Sequence, residues 1–220
     1  MKSRRVSFDL IARPYKTLEY LTFGNTLEKT RLYYLPNIAH CKNALVLGDG
    51  DGRFLSCLLA ANPTLHATAV DSSAAMLGLL RERCAANVTN SKQRLRVIQS
   101  DALSFIPTET YDLIVTHFFL DCFSQKDLSL LVRRLVPSLA PEALWLVSEF
   151  RIPNGILTVP SGVLIRGLYF AFHMLTGLRA TQLPDYGTEF RHSRLNRMAF
   201  RHHCGGILTS EVWQKEKAVS

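Results

Sequence analysis

The 220-residue sequence contains no CxxC pair, no Gly-Lys-Ser/Thr after its glycine-rich stretch, no internal repeat and no low-complexity tract. Its five cysteines (Cys41, Cys57, Cys84, Cys122, Cys204) are odd in number and scattered, which argues against a full disulfide framework and gives no metal-ligand spacing. They read as reduced, mostly buried thiols. The opening stretch, MKSRRVSFDLIARPYK, lacks the apolar run of a signal peptide, so a cytoplasmic protein is expected. Another scarcity is local. Between Arg151 and Gly206 there is no lysine and there are only two acids, Asp185 and Glu189, against seven arginines, so this stretch supplies +5 of the net charge of +8. Such a bias suits an anionic substrate, nucleic acid or an acidic membrane surface, and equally a solvated basic face.

With 47% hydrophobic residues the chain can bury a sizeable core, and its length fits a single domain. Strands and helices alternate. Residues 44–48 (ALVLG), 65–70 (LHATAV), 95–99 (LRVIQ), 111–116 (YDLIVT) and 143–150 (ALWLVSEF) read as buried strands. Helices are expected at 53–60, at 73–86 with Ala74, Leu77, Leu80 and Ala85 on one face, and near 125–136 with Ser124 as N-cap and Pro137 as stop. A last helix is expected over 184–197, followed by an antiparallel hairpin that turns at Gly205-Gly206. The fold class is therefore α/β, a doubly wound, mostly parallel seven-stranded Rossmann-like sheet with an antiparallel C-terminal hairpin. Within it, residues 1–42 read as an N-terminal helical cover, 43–150 as a cofactor-binding core and 151–220 as substrate-side helices plus the hairpin.

Residues 163–178 are apolar almost all round but too short, and with Arg166 too costly, for a membrane span. Arg166 and His173 fall on one helical face and point a polar stripe at a pocket, with shallow membrane contact as the other reading.

The stretch LVLGDGDGRFL, residues 45–55, carries the chemistry. Its glycines, at 48, 50 and 52, give GxGxG rather than the dinucleotide spacing GxGxxG, and Asp49 and Asp51 would oppose a pyrophosphate. A ligand that needs close backbone approach and brings positive charge fits better. S-adenosylmethionine has a sulfonium and an ammonium. Asp71, at the end of the second strand, suits the two ribose hydroxyls, and Asp101 or the backbone at Ala102, after the third, suits the adenine amino edge.

Residues 44–150 resemble the class I S-adenosylmethionine-dependent methyltransferases, through the glycine loop, VDSSAAML at 70–77, SDAL at 100–103 and YDLIVTHFFLDCF at 111–123. The D-x-S-x-x-M-L form at 71–77 is similar to the small-molecule branch of ubiquinone- and menaquinone-type enzymes. The resemblance implies a cofactor set of Gly48, Asp49, Gly50, Gly52, Asp71, Ser72, Met76, Asp101, Ala102 and Thr116, with Met76 near the adenine and S-adenosyl-L-homocysteine as product. One departure stands out. Where the family usually has an acidic residue two positions before the first glycine, this chain has Val46, so Asp49 is expected to take over the ammonium while Asp51 accepts hydrogen bonds at the helix start.

His117, directly after the fourth strand, is the expected catalytic base, with Asp121 orienting it or binding the acceptor. Phe119, Arg151, Arg166 and His173 are expected to bind the substrate, with Tyr15 from the N-terminal cover. The Asn/Asp-Pro-Pro-aromatic motif of nucleic-acid amino-methyltransferases is missing, as is the Pro-Cys of cytosine-5 enzymes. The expected function is methyl transfer to a small or lipid-like acceptor, aromatic or anionic. A non-catalytic cofactor-binding partner subunit, an RNA methyltransferase and an NAD-dependent oxidoreductase are the alternatives.

Overall fold

The computed structural model describes residues 25–153 and 183–217, together with Thr158 and Gly162. The expected apolar helix at 163–178, and with it Tyr15, Arg166 and His173, lies outside the described residues.

Seven strands form one sheet: β1 Asn43–Leu47, β2 His66–Asp71, β3 Leu95–Gln99, β4 Tyr111–His117, β5 Leu139–Phe150, β6 Leu195–His203 and β7 Leu208–Lys215, in the order β3-β2-β1-β4-β5-β7-β6. β1 to β5 are parallel, and β7 pairs antiparallel with both β5 and β6. Among the described residues the helices are α1 Thr26–Leu32, α2 Arg53–Ala61, α3 Ala74–Asn87, the single turn α4 Ser91–Arg94, α5 Gln125–Leu135 and α6 Tyr186–His192. The fold expectation is met: a doubly wound sheet closed at one edge by an antiparallel pair.

The alternation of side chains along each strand divides the core in two. Ala44, Val46, Leu113, Val115 and Leu146 face Phe54, Leu58 and Leu80 of α2 and α3. Leu45, Leu47, Ile114, Trp145 and Val147 face Leu128, Leu131 and Leu135 of α5 and Phe190 of α6. Val46, at the position where the family resemblance calls for an acid, is 1% exposed in the first of these layers. A carboxylate there would need a partner that the surrounding leucines cannot supply.

Local details revise the boundaries. The buried face of α3 is Met76, Leu77, Leu80 and Cys84, while Ala74 and Ala85 are exposed. Ser124 caps α5 as expected, accepting from Asp127 N at 3.2 Å. The helix expected over 184–197 stops at His192. Ser193 N bonds back to Glu189 O and Phe190 O, Arg194 turns left-handed at φ 59°, and Leu195 starts β6. The hairpin turn is wider than two residues, since Cys204 joins Gly205 and Gly206 at positive φ. All five cysteines are free thiols, two of them buried.

Strand order reverses between β1 and β4, and in such sheets ligands bind at the carboxyl ends on either side of this point. Two loops flank it here: residues 48–52 after β1 and residues 118–124 after β4. Gly52 fixes the first against α3. Its φ is 78°, and a Cβ there would stand 2.8 Å from Leu80 Cα. Gly52→Ala should cost about 2–3 kcal/mol, from left-handed strain plus backbone displacement, read as a lower urea midpoint at unchanged m-value.

Candidate functional site

Gly48, Gly50 and Gly52 have φ of 66°, 64° and 78°, so the loop turns its backbone three times through a region closed to most side chains. Gly48 N donates to Val70 O at 3.0 Å, which holds the loop against the end of β2. Among the described residues the only atom near Gly50 is Met76 Sδ, 3.9 Å from where a Cβ would lie, and this leaves a shallow cradle bordered by α3. Gly48 is covered instead. The Phe119 ring rests on it, 2.2 Å from a built Cβ, and leans edge-on against Phe123 at 5.1 Å.

Asp49 takes the helix-start role expected of Asp51, which is itself drawn into salt bridges. Gly52 offers no side chain to cap α2, and Asp49 does so instead: Leu55 N donates to Asp49 Oδ2 at 3.0 Å. Asp51 is neutralised, accepting from Arg83 Nη2 at 2.8 Å and from Arg53 Nε at 3.2 Å, while Arg83 Nε also reaches Asp51 O. Asp49, half-buried, is pushed up to about 7, chiefly by desolvation. The Leu55 bond and the charge of Arg31 oppose that rise, and Asp51 and Asp71 add to it.

At the next strand ends, Asp71 Oδ1 accepts from Ser73 N at 2.9 Å, and Ser73 Oγ caps α3 by accepting from Met76 N. Ser72 is exposed, and its carbonyl accepts from Gln99. Asp101 is exposed and closes the turn after β3 by accepting from Leu103 N at 2.8 Å, with Ala102 half-buried beside it. These residues line one end of the sheet with the glycine loop. Thr116 does not join them by its side chain, because its hydroxyl is fully buried and accepts from Trp145 Nε1 at 3.0 Å.

The expected pair His117 and Asp121 is not brought together. His117 follows Leu113 and Val115 onto the α2 face, 4% exposed, its ring edge-on to Phe54 at 4.4 Å. Neither of its ring nitrogens has a hydrogen-bond partner among the described residues. Burial holds its pKa well below the usual histidine value, and the nearby Arg31 adds to that, so the ring is neutral. Asp121 stands instead beside Glu149, which is on the opposite face because Ser148 points to α1.

Glu149 is the residue that sequence reasoning missed. It is 1% exposed at the end of β5, and its Oε1 accepts from Phe119 N at 3.0 Å and Leu120 N at 2.8 Å. It thereby fixes the loop that carries Phe119 and Asp121. Desolvation, and next the carboxylate of Asp121, raise its pKa well above the usual range. The signal was present in the sequence: a single acid closing an otherwise apolar buried strand must meet a donor nearby. Phe118, between β4 and this loop, sits at φ 52°, a strained conformation for an aromatic residue, with Arg31 stacked over its ring at 5.1 Å.

Three of the described arginines of the C-terminal third make local contacts. Arg151, half-buried, meets His202 Nε2 at 3.1 Å, Arg197 lies over Phe200 and Trp213 and 3.5 Å from Glu211, and Arg201 lies over Tyr33. No helix among the described residues is long and apolar enough to cross a membrane.

Residues 45–145 match the family model of a methyltransferase domain. No curated protein matches the chain significantly. Among solved structures it is similar to an O-methyltransferase family protein from Burkholderia thailandensis (15% identity, TM-score 0.69, 95% of this chain and 58% of that one). It is similar also to the N-methyltransferase NodS from Bradyrhizobium japonicum WM9 in complex with S-adenosyl-L-homocysteine (16% identity, TM-score 0.60, 86% of this chain and 87% of that one). The chain thus spans under two thirds of the first relative's length and most of the second. The fold is the Rossmann-like methyltransferase fold, and the glycine loop, Asp71, Asp101 and the Phe119–Asp121 loop all fall within the matched methyltransferase domain.

Proposed function

We propose that the chain is an S-adenosylmethionine-dependent methyltransferase whose acceptor is a small, aromatic or lipid-like molecule offering an O–H or N–H group. The observation that carries this reading is the loop at the switch point: three left-handed glycines open the backbone, and its one carboxylate not neutralised by a salt bridge, Asp49, is held beside them. A phosphate ligand would meet repulsion there, and a cationic nucleoside would not. Asp49 would hold the ammonium, Asp71 and Ser72 the ribose, and Met76, Asp101 and Ala102 the adenine side. Thr116 would contribute only through its backbone. When bound, the cofactor supplies a methyl group activated by sulfonium.

The protein then has to place the acceptor and receive its proton. Asp121 is the group suited to that, since Glu149 fixes its loop and its carboxylate is not tied to His117. Phe119 and Phe123 form an apolar wall. The carboxylate of Asp121 would make the reacting end of the pocket unfavourable for an anion, so a negative group on the acceptor would lie toward Arg151. Tyr15, Arg166 and His173 complete the proposed acceptor set.

Calorimetry with S-adenosylhomocysteine and with NADH tests the reading. Micromolar binding of the first and none of the second is expected, and the reverse would overturn it. Transfer of a labelled methyl group into a small-molecule extract by the protein alone then separates an enzyme from a non-catalytic partner subunit.

A further inference from the structure

We propose that Arg151 and His202 form an anion anchor for one end of an elongated amphiphilic acceptor, whose other end takes the methyl group. This rests on the methyltransferase reading and narrows its acceptor class.

The two residues meet across a strand. Glu149, Thr209 and His202 are register partners on β5, β7 and β6, so they form one row on the face that carries α6. Strand alternation puts Arg151, two residues after Glu149, on the same face, and its N–H donates to Ile207 O at 2.7 Å, which holds its backbone beside the start of β7. Its guanidinium reaches His202 Nε2 at 3.1 Å. Neighbouring strands lie about 4.8 Å apart, so His202 stands about 10 Å from Glu149, the residue that fixes the Asp121 loop. An acceptor that reaches from this loop to the anchor is therefore long.

The pair lacks a counter-charge. Glu211, the acid on this face of β7, already accepts from Tyr186 Oη, Thr209 Oγ1 and Trp213 Nε1, with Arg197 3.5 Å away. Arg197 lies in turn over the Phe200 ring, next to His202. Among the described residues Arg151 has no carboxylate partner. Partial burial and then the charge of Arg151 lower the His202 pKa, against the pull of Glu211 and with a smaller push from Arg197, so the ring is neutral and its Nε2 accepts the Arg151 N–H. An anion changes that arrangement. It accepts from the guanidinium and, once the ring has taken a proton from solvent, from His202 Nε2–H as well, which replaces one shared N–H by two charge-assisted bonds. Apolar side chains adjoin the pair: Ile152, next to Arg151 in the chain, is 38% exposed, and Phe200, 5.2 Å from the His202 ring, is 52% exposed. An anion with an apolar chain fits this surface better than a bare one, because each methylene laid against it adds affinity.

Calorimetry with decanesulfonate below its micellar concentration tests the anchor, since this anion keeps its charge at any working pH. Wild type should bind it about tenfold more tightly than either decanol or inorganic sulfate. Arg151→Gln should lose about tenfold, while Arg194→Gln, which removes the same charge at the opposite end of β6, should lose less than twofold. Wild-type affinity should rise as the pH falls from 8 to 6, because the bound anion favours the protonated ring, and in His202→Gln it should stay level. Decanesulfonate should also inhibit transfer of labelled methyl into the extract, and decanol should not. Equal losses for the two arginine variants, sulfate binding as tight as that of decanesulfonate, or undiminished transfer at saturating decanesulfonate would each overturn the proposal. So would sedimentation with phosphatidylglycerol vesicles in the absence of monomer binding, which assigns the patch to a membrane surface. Wild type that bound decanesulfonate but not S-adenosylhomocysteine would keep the anchor and overturn the methyltransferase reading.

Discussion

Between pH 8 and pH 6, wild-type protein should lose about tenfold in affinity for S-adenosylhomocysteine, and Asp49→Asn should show no such loss while binding about thirtyfold more weakly at pH 8. Desolvation between α2 and the loop pushes the Asp49 carboxyl up to about 7 in the unliganded protein. A ligand ammonium requires the ionised form, which is about nine-tenths populated at pH 8 and one-tenth at pH 6. Binding must therefore take up the cost of ionising Asp49 as the pH falls through 7, so affinity rises with pH and levels off above it. Asn at this position keeps an amide oxygen for Leu55 N, so the cap of α2 survives and only the charge is lost. Calorimetry at the two pH values on both proteins checks this. Parallel pH dependences in wild type and variant would assign the slope elsewhere and remove Asp49 from the ammonium site.

That prediction depends on which aspartate of GDGDG faces the ligand, a point the sequence left half-legible. Strand ends and glycine spacing located the loop, because apolar runs that stop at glycine have few other readings. The chain's path through three left-handed residues decides where each carboxylate points, and no one-dimensional pattern encodes it. Thus Asp51 turned out to pair with Arg83, more than thirty residues away, while Asp49 became the cap. The expected pairing of His117 with Asp121 is absent for a simpler reason. Strand alternation already put Thr116 and His117 on opposite faces, but Asp121 follows a loop with a left-handed Phe118, and its face depends on that turn. The helix expected to reach 197 was read through a polar, arginine-rich stretch with no glycine or proline to stop it. Its end is set by tertiary context, by Leu195 entering the core beside β7. The sheet order was legible because the β-α alternation admits few alternatives.

Glu149 should show the largest effect on stability, with opposite signs for two substitutions. In wild type its carboxyl has a pKa raised well above the ordinary value by burial and by Asp121, so the folded protein holds a proton that the unfolded chain releases near pH 4.3. The contribution to stability is then fully present below that pH and is lost as pH rises toward the folded value, at up to about 1.4 kcal/mol per unit. Glu149→Gln removes this slope and keeps a carbonyl oxygen for Phe119 N and Leu120 N. In urea titrations the variant should be more stable than wild type at pH 8, with the gap closing by pH 5. Glu149→Ala leaves those N–H groups buried without an acceptor, at about 1–3 kcal/mol each, and should be less stable than Gln by about 4 kcal/mol at every pH. If Ala and Gln behaved alike, Glu149 would not be anchoring the loop. The difference reaches the candidate site because the same loop presses Phe119 onto Gly48 and carries Asp121. Once the loop is released, the Ala variant should lose the proposed methyl transfer even at temperatures where it stays folded, while Gln, with the loop in place, should keep its affinity for S-adenosylhomocysteine.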